Sequence, residues 1–194
     1  MDGAALLYSS DFGFQYTYPA GWTRVDTASM MPSIQMQQQA RALTDKAKRA
    51  AACTHIGLLV TRSNPTMKII IIELPYSCYG SSYQDSEVST YGPGVLDGLG
   101  QQFDIGAPTS TTTYKLGKHS IWANRSHATL KQHPDQPYEM ETVCTILSKA
   151  AVCWVAIAEQ AQMLSVLEQG QVSLDGDPLV ALVPPPAFGI AGAQ

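Results

Sequence analysis

The stretch "KIIIIEL", residues 68–74, places Ile69, Ile70, Ile71 and Ile72 side by side. Four β-branched residues in a row pack well in a strand and poorly in a helix. A strand that is apolar at every position belongs inside a sheet covered on both faces. The chain must therefore fold in layers around this strand. Just before it, "THIGLLVTR" has the same character, and Ser63-Asn64-Pro65-Thr66 between the two has turn chemistry, so the runs form an antiparallel pair. Strand character returns in "TSTTTYKL" and "HSIWANRSHATL", separated by the turn Gly117-Lys118. After the loop "KQHPDQP", a further pair, "YEMETVCTIL" and "AVCWVAIA", is joined around Ser148-Lys149.

Near the start, "DFGFQYTYPAGW" carries Phe12, Phe14, Tyr16 and Tyr18 on alternate positions, with Gly13, Gln15 and Thr17 suited to the opposite face. The aromatic row is expected in the core. Pro19-Ala20-Gly21 is expected to reverse the chain into "WTRV" as a β-hairpin. Helical spacing follows: Met36, Ala40, Leu43, Ala47 and Ala50 form one stripe of an amphipathic helix, with Lys46, Lys48 and Arg49 near its end. A shorter helix is expected over Val95, Leu96, Leu99 and Phe103, although Gly98 and Gly100 each cost about 1 kcal/mol relative to Ala. A third is expected over "EQAQMLSVLEQ", capped by Gly170. Residues 75–94 read as a loop.

The order hairpin, helix, two strands, short helix, four strands, helix implies an α+β fold: an antiparallel β-sheet with helices packed on it, as an α/β/α sandwich. The expected boundaries are an N-terminal arm at 1–10, a single domain at 11–178 and a Pro-rich tail at 179–194. This order, together with Tyr18, Pro19, Gly21 and Trp22 in "YPAGW", resembles the PsbP-like family, whose fold is shared with the yeast Ran-binding nuclear-import factor and with bacterial envelope proteins and secretion chaperones. The resemblance implies that the Tyr-Pro-x-Gly-Trp turn closes the first hairpin and that the aromatic face packs against helices. It also implies action by docking to another protein.

Composition narrows the function. Of 194 residues 45% are hydrophobic, enough for one substantial core, while only 14% are charged, against roughly 25% in an average soluble protein. With a net charge of -4 and one small basic cluster, nucleic-acid binding is not expected. No apolar run reaches the roughly 18 residues of a membrane span. No signal peptide is visible in "MDGAALLYSS"; the small residues and four cysteines nevertheless lean towards a periplasmic or secreted protein, with the cytoplasm as the alternative.

Catalytic and cofactor signatures are sparse. The serines of "YGSSY" lack a strand-turn-helix context, and "GPGVLDGLG" has no Walker lysine. His119 and His127 share a strand face roughly 26 Å apart, so only His127 with His133 is a candidate metal pair. Asp175 and Asp177 in "LDGDP" read as a turn. No cofactor is expected. Trp122 and Trp154 are expected in the core, and the tyrosine-rich segment with Tyr76, Tyr79, Tyr83 and Tyr91 is the candidate recognition loop. The reading is thus a noncatalytic protein-binding or assembly module. The alternatives are an enzyme of hydrolase type, its site assembled from distant residues, and a cytoplasmic chaperone or adaptor.

The cysteines invite a register argument. A turn centred between Ser148 and Lys149 sets Cys144 opposite Cys153, within disulfide reach. A turn centred between Pro65 and Thr66 would set Cys53 opposite Cys78, but a one-residue slip would separate them. Four reduced, buried cysteines are the alternative.

Overall fold

The computed structural model describes residues 5–28, 31–164 and 170–182. In chain order the strands are β1 (Leu6–Ser9), β2 (Phe14–Tyr18), β3 (Thr23–Arg24), β4 (His55–Ser63), β5 (Thr66–Pro75), β6 (Phe103–Leu116), β7 (His119–Leu130), β8 (His133–Ile146), β9 (Ala150–Ala158), β10 (Gln171–Leu174) and β11 (Val180–Ala181). The helices are α1 (Met31–Arg41), α2 (Asp45–Cys53), α3 (Tyr76–Tyr79) and α4 (Val88–Leu99), and single 3₁₀ turns lie at Asp85–Glu87 and Ala161–Leu164. The α+β class, with helices on an antiparallel sheet, is as expected.

A seven-stranded antiparallel sheet runs in the order β3-β4-β5-β9-β8-β7-β6, and a four-stranded one in the order β1-β2-β10-β11. The isoleucine strand β5 lies inside the larger sheet, between β4 and β9. Its alternating side chains feed two cores. Ile69 and Ile71 join Leu58, Val60, Val152 and Trp154 in the core beneath the smaller sheet, whereas Ile72 and Leu74 face the helices. Residues 159–164 of the third expected helix are a bend and the 3₁₀ turn, whose Leu164 joins the inter-sheet core; 165–169 lie outside the described residues.

Several expectations need correction. The aromatic row is indeed core, with Phe14 and Tyr16 fully buried, but it packs on the larger sheet rather than on helices: the Phe14 ring centroid is 5.2 Å from that of Trp154. The N-terminal hairpin forms one element earlier, from β1 and β2, with Leu6 opposite Tyr18. Tyr18, Pro19, Gly21 and Trp22 close no hairpin. Gly21, at φ 84°, turns the chain out of one sheet and into the other, where Thr23 pairs with Thr61 of β4. Residues 6–9 of the expected arm are β1 and 180–181 of the expected tail are β11; 1–4 and 183–194 lie outside the described residues.

The single long helix expected over 33–52 is two. Thr44 caps α2, accepting a hydrogen bond from the Ala47 N–H, and a capping threonine competes with continuation of the helix. Met36 and Leu43, counted in the apolar stripe, are 70% and 97% exposed. Helix α4 begins at Val88, earlier than expected, and carries Pro93 inside it. Phe103, read as its last apolar position, opens β6, and β8 starts at His133, inside the expected loop.

Candidate binding groove

Both disulfides form. Cys144 lies directly opposite Cys153 across β8 and β9, with Cα atoms 4.1 Å apart, as the register argument requires. Cys53–Cys78 also forms, at a Cα separation of 5.6 Å, but by a different route. The β4–β5 turn is centred one position earlier than that pairing needs, with Ser63 opposite Thr66, and a bulge at Gly57 shifts the register again. Cys53 ends α2 and Cys78 lies in α3. The bridge therefore staples two helices rather than two strands.

That staple orders the segment read as a loop. Pro75, extended at ψ 130°, ends β5 and starts the single turn of α3, which closes at Gly80 with φ 79°. The Tyr79 and Tyr83 rings stack at 5.8 Å and 6°, Tyr83 donates a hydrogen bond to the Tyr79 hydroxyl, and Tyr91 and Tyr76 lie 5.4 Å and 6.3 Å from Tyr83. Lys46 of α2 sits 5.6 Å over the Tyr83 ring, a cation–π contact. All four tyrosines of the candidate recognition loop thus meet, Tyr79 and Tyr91 buried and Tyr76 and Tyr83 half-buried. Burial pushes the Tyr76 hydroxyl up to about 12. Burial first, then the Tyr79 hydrogen bond, raises Tyr83, and burial raises Tyr91. These three hydroxyls therefore stay neutral at physiological pH and supply neither charge nor a base.

Two contacts fix the segment to the sheet. Asp85 accepts hydrogen bonds from the Ser120 N–H, the Ser120 hydroxyl and Lys115 Nζ. Gly92 lets α4 lie flat on Trp122; a Cβ there would come 2.2 Å from the indole ring.

Between α2 and α4 these elements leave a groove of about 600 Å³, within the usual size of ligand sites. Ile72 and Leu74 form its floor, Ala47 and Ala50 one wall, and Tyr91, Gly94 and Gly98 the other. Small residues on facing helices keep it open. Lys46, Glu87 and Asp97 stand at its edges, and the exposed Leu43 lies on its rim.

Of the other candidate positions, only His119, Asp175 and Asp177 come together among the described residues. His119 is buried, its Nδ1 3.3 Å from the Ile146 carbonyl, and its Nε2 lies 3.8 Å and 3.9 Å from carboxylate oxygens of Asp175 and Asp177. His127 pairs with Glu139 at the surface, and His133 is exposed; the pair considered for a metal is no site. Among the described residues no group of three or more His, Cys, Asp or Glu side chains is placed to hold a metal ion. Asp175, at φ 51°, and Gly176, at φ 80°, form the expected turn. Ser81 and Ser82 are exposed. Among the described residues no helix is long and apolar enough to cross a membrane.

No model of a known protein family matches the chain, and no curated protein does. Among solved structures it is similar to the cyanobacterial PsbP protein CyanoP from Synechocystis sp. PCC 6803, at 10% identity and a TM-score of 0.45 over 85% of each chain. It is also similar to LpqN, described as involved in cell envelope biogenesis of Mycobacterium tuberculosis, at 12% identity and a TM-score of 0.46 over 88% of this chain and 90% of that one.

Proposed function

We propose that the protein is a noncatalytic binding module whose groove between α2 and α4 takes apolar side chains of a partner protein. The observation that carries this reading is Leu43: a leucine 97% exposed on the rim of an apolar, tyrosine-walled groove. An apolar surface left in water beside such a groove gains by being covered. The partner is expected to present a segment with apolar anchors. Two disulfides support an extracytoplasmic setting, where they persist.

Ala47 lies exposed on the groove wall, so Ala47→Trp fills the groove without disturbing the core. Peptides selected from a random display library on the wild-type protein should carry apolar residues and lose binding at least about tenfold to A47W. Peptides that bind both proteins alike would overturn the assignment.

A further inference from the structure

Helices α1 and α2 are held to the domain at one point. Of their described side chains only that of Cys53 is buried. It joins the apolar cluster that contains Leu74, on the groove floor, and Tyr91, on the groove wall. The Gln35 Nε2 donates to the Ala52 and Thr54 carbonyls at 3.0 Å and 2.9 Å, but this ties α2 only to α1, which has no buried residue among those described. Helix α2 has nine residues, and isolated helices shorter than about 12 residues are marginal in water. Its position as a groove wall therefore depends on Cys53 and on the bond from Cys53 to Cys78.

The other end of that bond is anchored independently. The Tyr76 N–H donates to the Lys149 carbonyl at 3.0 Å, and Tyr79 is buried, so α3 stays on the sheet with or without the bridge. Cys78 is exposed, and thiol–disulfide exchange needs an accessible sulfur. Cys144 and Cys153, both fully buried, give no such access and keep the sheet joined.

We infer that Cys53–Cys78 is a redox gate on the groove: the closed bridge holds α2 in place, and reduction by a dithiol releases α2 and abolishes docking. One thiolate of the dithiol attacks Cys78 Sγ, forming a mixed disulfide and expelling the Cys53 thiolate, which takes up a proton. The second thiol of the reductant then attacks its own sulfur in the mixed disulfide, releasing Cys78 as a thiol and leaving the reductant as a disulfide. Two electrons and two protons pass to the protein, and the reverse exchange resets the gate. The consequence for docking rests on the function proposed above, whereas the release of α2 does not.

Dithiothreitol is the probe, at a dose where peptide mass mapping shows Cys53–Cys78 open and Cys144–Cys153 intact. Hydrogen exchange reads the release directly. The Lys48 and Thr54 amides, which donate to the Thr44 and Ala50 carbonyls, should lose about tenfold or more in protection while the amides of β8 and β9 keep theirs. Affinity for peptides selected on the oxidised protein should fall by about tenfold or more, as it does when the competent groove survives in one molecule in ten or fewer, and should return on reoxidation. The double variant Cys53→Ser, Cys78→Ser should behave as the reduced protein under all redox conditions, with protected β8 and β9 amides showing that it has folded; the reduced wild type gives the same readout without a mutation. Unchanged α2 protection, protection lost throughout the sheet, opening of both bridges together, or reduced protein that binds as tightly as oxidised protein would each overturn the gate. A47W separates the two readings: peptides that bind it like the wild type overturn docking, and α2 exchange then decides the gate alone.

Discussion

Two glycines of α4 look alike in the sequence and differ completely in surroundings. At Gly92 a Cβ would meet Trp122 at 2.2 Å, whereas at Gly98 it would meet nothing within 4 Å. Gly92→Ala should therefore destabilise the fold by about 1 to 3 kcal/mol through overpacking. Gly98→Ala should stabilise it by about 0.4 to 1 kcal/mol, by removing freedom from the unfolded chain. Chemical denaturation of the two variants reads both signs; equal effects would mean that α4 does not rest on Trp122. Asp85 makes a second residue-level prediction. Burial opposes its charge, but the hydrogen bonds from Lys115 and Ser120 outweigh burial and bring its carboxyl from 3.8 down to about 2. A lowered folded value means stabilisation that is complete above about pH 4 and lost as pH falls through 2. The side chain is 39% exposed, so screening leaves about 1 kcal/mol at most. Stability of Asp85→Asn, compared with wild type from pH 6 to pH 2, should converge on it at the acid end.

At the scale of elements, how well the sequence could be read depended on how local each signal was. The β8–β9 hairpin was fully legible, down to Cys144 facing Cys153, because a short turn fixes the register by itself. The β4–β5 hairpin was legible as a pair but not in register, because the bulge at Gly57 follows from packing: Tyr8 and Glu73 stand where a Cβ at that position would point. Thr44 before Asp45 was a readable helix start, and it would have separated α1 from α2 and left Leu43 outside the stripe. The tyrosines could be named but not assembled, since the α2–α3 bridge that gathers them joins distant elements. The two bridges differ in access. Cys144 and Cys153 are fully buried in the sheet, while Cys78 is exposed. Mild reductant applied to the folded protein should open Cys53–Cys78 first, which alkylation and peptide mass mapping would detect. Simultaneous opening would mean that the sheet bridge is reached as easily as the helical one.

For the whole molecule, one sheet serves two purposes. Its inner face meets the smaller sheet through Phe14, Tyr16 and Trp154 and forms a closed aromatic core. The other face is only partly covered by helices, and the uncovered remainder is the groove over Ile72 and Leu74. Composition announced a large core and little surface charge, but a groove is made by what the helices leave open, and no local pattern encodes that. The most direct test of the docking account is chemical-shift mapping of ¹⁵N-labelled protein with a peptide selected on the wild type. The account predicts that the largest changes fall on Ala47, Ala50, Thr90, Gly94 and Gly98, and that A47W abolishes them. Largest changes along the exposed edge strand β6 or on the smaller sheet, persisting in A47W, would contradict it.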